Sequence, residues 1–391
     1  MKANGSGTCY LVPPHKALHK RALWLSPFCQ LSQSLPLKPL PNWTLPPSIP
    51  SSSSSTPILQ DVQAPFGKSR LGGCWLYPSP TATAAHPGSA IVLGHGLGAV
   101  LRYLNKGPWV YSRAQRPVDI LIHSSPRYAE LFQKQGYTAV CFDYRGFGTS
   151  TGTRRQILDW HMQEEDWHAA ILWTRGLAIV DPEQVGIFGS SVGGRHAIPI
   201  ASQDKKLKAA ISQCLFPFTN GFASALTLGF GVLPRLALLA LRDALFHSEE
   251  NHLPVKLAAR PGQVALMNAH DAESGYLGLV PSESDISLKD EVAARVALRI
   301  GVLYPGANAK NVECPIYFAV CKDDTVAPAG PTLNYAAKAP RGETKVYNFG
   351  HFSIYHGAGY EEASKDYSFQ VTRLRISGCR FQNLVGQVTR S

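Results

Sequence analysis

The chain has 391 residues, of which 45% are hydrophobic and only 17% charged, and its formal net charge is +11. This composition can bury a sizeable core, which excludes a wholly disordered protein, and the few charges exclude a coiled coil or a charge-rich scaffold. Residues 1–60 carry five basic side chains and no Asp or Glu, so nearly half of the excess charge lies in that segment. Because no zinc-finger or basic-region pattern accompanies the charge, we expect no nucleic-acid partner.

Residues 1–60 are predicted to form a disordered, basic arm. Ten of the 29 prolines and the five-serine run 51–55 fall within it. An organelle transit peptide has a similar composition, and so would a mis-assigned gene start. The arm lacks the continuous apolar core of a secretory signal, and the chain ends without a Ser-Lys-Leu type address. We expect a cytoplasmic protein, with a mitochondrial or peroxisomal location as the alternative.

Short apolar runs that stop at glycine alternate with helical stretches along the chain. The predicted strands are 73–77, 89–93, 138–144, 184–188, 208–214, 315–321 and 344–349, and the predicted helices are 126–136, 156–177 and 192–202. Unbroken apolar runs are typical of strands buried on both faces, and their alternation with helices indicates an α/β fold with a mostly parallel, doubly wound sheet. Chemistry in such sheets lies at the carboxyl ends of the strands.

The loop after the second of these strands, 94–98 (GHGLG), is a candidate oxyanion site. Attack on a carbonyl builds an oxyanion, which needs preorganised N–H donors. We expect one donor from the Leu97 backbone and the other from the backbone of Val192. A plain glycine turn is the structural alternative for this loop.

The segment 189–193 (GSSVG) matches the G-x-S-x-G pattern between an apolar strand and a helix. This is the context of a nucleophile elbow, a turn so tight that glycines must flank the serine. The turn lifts the Ser191 hydroxyl above the sheet, and the following helix directs its first amides at the site. We therefore predict Ser191 as the nucleophile, whereas Ser190 would be one position out of register.

Residues 216–312 separate the nucleophile from the later strands and are predicted to be an inserted helical cap over the catalytic face. Within this segment, 222–241 is almost entirely apolar, although Pro234 and Arg235 lie near its middle. Because a central Arg is costly in lipid, we expect a buried or lid helix pair and no membrane span. An apolar cap would favour an apolar acyl substrate, while ordinary core packing is the alternative explanation.

A serine nucleophile needs a general base, and the base needs an orienting acid. The chain order for this topology is Ser, acid, His. Asp323 and Asp324 follow the strand 315–321, and spacing does not choose between them. The alternative is that they only cap a loop.

The base is expected after the strand 344–349, where Gly350 is followed by His351. A histidine at a strand end can reach over the sheet toward the nucleophile, and His356 is the fallback. His270 and Asp271 precede the acid strand and break the expected order. The eight cysteines show no metal-ligand spacing, so we expect reduced, buried thiols, no metal and no organic cofactor.

These residues together resemble the α/β-hydrolase superfamily over residues 73–366. The more specific pieces, 94–100, 142–150, 265–268 and 350–355, resemble the dienelactone-hydrolase and X-Pro-dipeptidyl-peptidase-like group, which includes fungal polyketide transferases and toxin-pathway hydrolases. The resemblance implies Asp324 as the acid and acyl or ester chemistry on a secondary metabolite. Three features depart from the group: the arm, an apparent insertion at 101–125 beside the oxyanion loop, and an atypical tail, 371–391, without the amphipathic helix expected after Asp366.

We therefore expect a serine hydrolase or acyltransferase with the triad Ser191, Asp324 and His351. Its core would comprise residues 61–215 and 313–370. The partner would be a small-molecule ester or thioester of an apolar acyl group, and the sequence indicates no oligomeric state. The alternatives are an X-Pro-type serine peptidase and a catalytically inactive binding module on the same fold.

Overall fold

A computed structural model describes residues 60–66, 70–97, 125–148, 150–152, 154–217, 229, 231–279, 290–300 and 305–376. The predicted arm therefore lies outside the described residues except for Gln60. The apparent insertion lies outside them except for Ser125, and so does the tail beyond Ile376.

An eight-stranded sheet forms the centre of the fold. Its strands are β1 (Gln60–Phe66), β2 (Arg70–Tyr77), β3 (Gly88–Gly94), β4 (Thr138–Phe142), β5 (Val180–Ser190), β6 (Ala210–Gln213), β10 (Ile316–Cys321) and β11 (Gly342–Tyr347). They lie in the order β1-β2-β4-β3-β5-β6-β10-β11. The β1–β2 and β2–β4 pairs are antiparallel and the other neighbours are parallel. The predicted α/β class with a mostly parallel sheet is confirmed.

Helices cover both faces of this sheet because its strands are apolar on both sides. Every residue of β4 and of β10 is buried. The covering helices are α1 (Ser125–Lys134), α2 (Trp160–Arg175), α3 (Val192–Gln203), α7 (Ala329–Ala336) and α8 (Gly357–Ile376). Helix α2 begins later than predicted because the Asp159 side chain caps it, accepting hydrogen bonds from the amides of His161 and Met162.

Helix α8 corrects the prediction that no closing helix follows Asp366. It continues ten residues beyond that position, to Ile376. Its Tyr367 is fully buried and packs against Phe188 of β5, with ring centroids 5.6 Å apart. Tyr360 and Ala363 lie at helical spacing from Tyr367, and all three pack in or against the core. This apolar row lies mostly before Asp366, so the segment after that residue did not indicate the helix.

The cap segment, residues 216–312, contains a small three-stranded sheet in addition to the predicted helices. Its described elements are α4 (Val232–Phe246), β7 (Pro254–Ala258), β8 (Ala265–Met267), α5 (Ala272–Leu277), β9 (Glu291–Ala293) and α6 (Ala297–Ile300). Strand β7 lies between a parallel β8 and an antiparallel β9. These strands are only three to five residues long, too short for a clear alternating pattern in the sequence.

Helix α4 is the described part of the apolar stretch 222–241, of which 222–228 and 230 lie outside the described residues. It is not buried all round, because Val232, Leu236 and Ala240 face inward while Leu238 and Leu245 are exposed. Among the helices of the described residues, none is long and apolar enough to cross a membrane.

Candidate active site

The nucleophile elbow forms where β5 ends and α3 begins. Ser191 has φ +54° and ψ −114°, a conformation that L-residues rarely adopt and that is costly to hold. The turn requires glycine at position 189, because a Cβ there would collide with the carbonyl of Gly193. Hydrogen bonds fix the turn: the Ser191 amide donates to the Gln213 carbonyl at 2.9 Å, and the Ser191 carbonyl accepts from the Arg195 amide at 3.0 Å.

His351 lies in the loop after β11 and reaches this serine. Its Nε2 is 3.2 Å from the Ser191 Oγ, and its Nδ1 is 2.7 Å from an Asp324 carboxylate oxygen. Because a carboxylate only accepts hydrogen bonds, Nδ1 carries the proton and Nε2 is free to accept one from the serine hydroxyl. His356, the fallback base, is exposed.

The structure separates the two candidate acids in the loop after β10. Asp324 is buried, and its second oxygen accepts hydrogen bonds from the amides of Val326 at 2.9 Å and Ala327 at 2.5 Å. Asp323, one residue earlier, is exposed. The structure therefore brings together Ser191, Asp324 and His351, three residues that follow three separate strands.

The loop after β3 lies against the elbow. A Cβ on Gly96 would be 3.2 Å from the Ser191 Cβ, and Leu97 beside it is buried. Val192 is the first residue of α3 and has no amide partner within the helix. Val192 thus directly follows Ser191, and Leu97 directly follows Gly96, the residue that packs against Ser191. Gly98, the end of the predicted loop, lies outside the described residues.

His95 contacts the rest of the loop after β3 through its buried ring. Its Nδ1 bonds the Gly96 carbonyl at 3.0 Å, its Nε2 is 3.7 Å from an Asp143 oxygen, and its ring packs edge-on against Tyr144. Burial lowers the pKa of His95 to about 4, so the ring is neutral near pH 7. His95 belongs to the Gly-rich loop 94–98, but its inward orientation has no signal in the sequence.

The cap segment contacts the oxyanion loop and the loops that carry Asp324 and His351. The Tyr276 hydroxyl of α5 donates to the Leu97 carbonyl at 3.4 Å, and Gly275 beside it packs tightly against Phe352, the neighbour of His351. Asp271 accepts a hydrogen bond of 2.5 Å from Thr325, the residue after Asp324. Sequence reasoning assigned no role to Tyr276, because the cap and the loops are far apart in the chain.

Ser190, the rejected alternative to Ser191, points away from the base. Its hydroxyl is buried and lies 2.7 Å from the Tyr355 hydroxyl and 2.9 Å from the Gln213 amide nitrogen. His270 is exposed, and Asp271 bonds Thr325 rather than His351. Within the described ranges, no group of three or more His, Cys, Asp or Glu side chains could hold a metal ion.

Comparison with known proteins points in the same direction as this geometry. Residues 50–225 match the family model described as X-Pro dipeptidyl-peptidase (S15 family). The chain is 41% identical over 288 residues to the quorum-quenching protein AidA of Acinetobacter baumannii, covering 73% of this chain and 86% of that protein.

Two fungal proteins match shorter or more divergent stretches. The thiohydrolase aneE of Aspergillus aculeatus is 35% identical over 127 residues, covering 32% of this chain and 34% of that protein. The polyketide transferase ATR5 of Stachybotrys chlorohalonatus is 28% identical over 236 residues, covering 54% of this chain and 70% of that protein. Among solved structures, the α/β hydrolase GrgF from Penicillium sp. sh18 superposes with a TM-score of 0.61 at 18% identity, covering 81% of this chain and 98% of that one, and supports the fold alone.

Proposed function

Since the chain belongs to the α/β-hydrolase superfamily, in the family that includes the quorum-quenching protein AidA, we propose that it is a serine hydrolase or acyltransferase using Ser191, Asp324 and His351. The observation that carries the proposal is the position of His351, whose two ring nitrogens lie within hydrogen-bonding distance of Asp324 and Ser191. Nucleophile, base and orienting acid in this linear arrangement are what serine-based acyl transfer requires.

The reaction begins when the Ser191 Oγ attacks the carbonyl carbon of the substrate and passes its proton to His351 Nε2. The oxyanion that forms accepts hydrogen bonds from the amides of Leu97 and Val192. The bond to the leaving alcohol or thiol then breaks, and His351 returns the proton to it. A water molecule, or another acceptor, attacks the acyl-enzyme with His351 as base and regenerates Ser191. Asp324 keeps the imidazole in the correct tautomer throughout.

The proposed substrate is an ester or thioester of an apolar, polyketide-like acyl group. The side chains beside the site that favour such a group are buried and mostly apolar: Leu97, Tyr276 and Phe352. The names of the fungal relatives, a thiohydrolase and a polyketide transferase, point to the same chemical class. Whether water or an alcohol or thiol resolves the acyl-enzyme depends on the acceptor present.

A panel of p-nitrophenyl esters from acetate to decanoate tests this proposal. We expect kcat/KM to rise with chain length through about eight carbons, because each buried methylene contributes roughly 0.8 kcal/mol, or about fourfold. Ser191→Ala should abolish turnover, whereas Ser202→Ala, on the same helix with its hydroxyl bonded to the Pro199 carbonyl, should leave it intact. Activity limited to acetate would contradict the apolar substrate. Equal turnover by wild type and Ser191→Ala would reject Ser191 catalysis and favour a non-catalytic binding module.

A second candidate is a serine peptidase that cleaves after proline, favoured by the description of the family model that matches residues 50–225. A dipeptidyl p-nitroanilide with proline at its second position tests it directly. An N-acyl homoserine lactone belongs in the same panel, because this bacterial signal joins an apolar acyl chain to a cyclic ester, and a relative is named for quorum quenching. Faster turnover of the anilide than of any ester would favour the peptidase.

A further inference from the structure

A chain of buried hydrogen bonds runs beneath the site and is not used by the mechanism above. Tyr367 of α8 donates to the Gln213 side-chain oxygen at 2.6 Å, and the Gln213 side-chain nitrogen donates to the Ser190 Oγ at 2.9 Å. The Ser190 Oγ lies 2.7 Å from the Tyr355 hydroxyl. All four residues are buried, so each hydrogen bond is made away from water. We call these four residues the polar bridge.

The polar bridge joins the two pieces of backbone that must stay in register for proton transfer. Ser190 directly precedes Ser191, and Gln213, its register partner across β5 and β6, accepts the Ser191 amide through its backbone carbonyl. At the other end, Tyr355 closes the short helical turn Ser353–Tyr355, which follows His351 in the same loop. The bridge therefore links the backbone next to Ser191 with the loop that carries His351.

The hydroxyl and amide groups of the polar bridge have complementary donor and acceptor roles. The Gln213 amide is oriented by Tyr367, because a phenol donates to its oxygen and leaves its nitrogen to face Ser190. Burial raises the pKa of Tyr355 well above its ordinary value, so its hydroxyl keeps its proton. A buried network in which each member is satisfied is rigid, since breaking one bond leaves a polar group without water or a partner.

We infer that Ser190 and Tyr355 are positioning residues, which hold the His351 loop at the distance from Ser191 that proton transfer needs. The inference rests on the proposed function and deepens it by assigning a role to the serine beside the nucleophile. The two atoms that exchange the proton are 3.2 Å apart, at the outer edge of hydrogen-bonding distance, so a small outward shift of the loop separates them. Displacements of about 1 Å at a reacting centre cost on the order of 100-fold in rate.

Four variants test this inference: Ser190→Ala, Tyr355→Phe, the double variant, and Tyr317→Phe as the matched control. Tyr317 is a buried tyrosine whose hydroxyl lies 3.0 Å from that of Tyr347, outside the polar bridge. The assay is steady-state hydrolysis of the p-nitrophenyl ester that the wild type turns over fastest, with thermal unfolding recorded for each variant.

We expect each bridge variant to lose about 10- to 100-fold in kcat with KM changed less than about threefold, because the distance between His351 Nε2 and Ser191 Oγ limits proton transfer more than it limits substrate binding. The double variant should lose no more than the worse single variant, since both remove the same hydrogen bond. Tyr317→Phe should lose stability comparable to Tyr355→Phe and keep its kcat. A fall in kcat of the control equal to that of Tyr355→Phe, unchanged kcat in both bridge variants, or multiplied losses in the double variant would overturn the inference. Absence of Ser191-dependent turnover in the wild type would instead reject the proposed function.

Discussion

Asp324→Asn is expected to lower kcat/KM by about 10³- to 10⁴-fold while leaving the fold intact. The amide has the same size as the carboxylate, so the change acts on hydrogen bonding and charge. One Asp324 oxygen receives the amides of Val326 and Ala327, and the other receives His351 Nδ1. The amide oxygen of the variant will stay with the two backbone donors, so its NH₂ group faces Nδ1. That orientation forces the proton onto Nε2, which then cannot accept one from Ser191.

The magnitude follows from the bonds that the productive tautomer would break. Turning the amide around loses two hydrogen bonds of roughly 1.5 kcal/mol each, or about 100-fold. Losing the attraction between a carboxylate and the imidazolium formed in the transition state costs at least another factor of about 10 to 100 in a buried site. These two effects multiply to the expected range.

The neighbouring acid provides the matched control. Asp323→Asn makes the same chemical change one residue away on an exposed side chain, so kcat/KM should stay within about twofold. Ester hydrolysis by the two purified variants, with thermal unfolding as the check on folding, is the assay. The reasoning is refuted if Asp324→Asn retains more than a tenth of wild-type activity, or if the two variants lose activity equally.

Three further predictions concern stability and reactivity. The pKa of His95 is about 4 in the folded protein and about 6.5 in the unfolded chain. The unfolded chain therefore takes up a proton first as the pH falls, and the free energy of unfolding decreases between about pH 6.5 and pH 4. Urea unfolding should show the wild type losing roughly 2 kcal/mol more than His95→Gln between pH 7 and 4.5, and equal losses would contradict the assignment. Burial raises the pKa of Cys314 to about 12, so iodoacetamide at pH 8 should modify it only in urea, as peptide mass spectrometry would show, and rapid native modification would oppose this. Arg295→Ala leaves the buried Asp243 of α4 without its 2.8 Å ion pair and should lower the free energy of unfolding in urea by about 3 kcal/mol. Arg299→Ala, which removes a more exposed ion pair, should lower it by under 1 kcal/mol, and similar losses in the two variants would contradict this prediction.

The central sheet and the sharp turn that carries Ser191 could be predicted because their signals are local. Strands such as β4 and β10 are buried along their whole length and therefore appear as unbroken apolar runs. The elbow needs its serine and glycines within five consecutive residues, so Ser191 stands out in the sequence alone.

The remaining parts of the site depend on contacts between distant segments. Spacing could not separate Asp324 from Asp323, because the two differ only in which side chain the loop turns inward. Ser190 and Tyr355 lie 165 residues apart in the chain, and no sequence pattern in either segment predicts their hydrogen bond. Helix α8 was missed because its apolar row, Tyr360, Ala363 and Tyr367, is short and lies mostly before Asp366.

Labelling with a fluorophosphonate, followed by mass spectrometry of the tryptic peptide 176–195, tests the central claim most directly. This peptide contains both Ser190 and Ser191. A nucleophilic serine activated by a base reacts covalently with the probe, whereas an ordinary hydroxyl does not. We predict one adduct per chain, with fragment ions that place it on Ser191, and no adduct in His351→Ala. An adduct on Ser190, or an unlabelled wild type that is folded, would contradict the proposed role of Ser191.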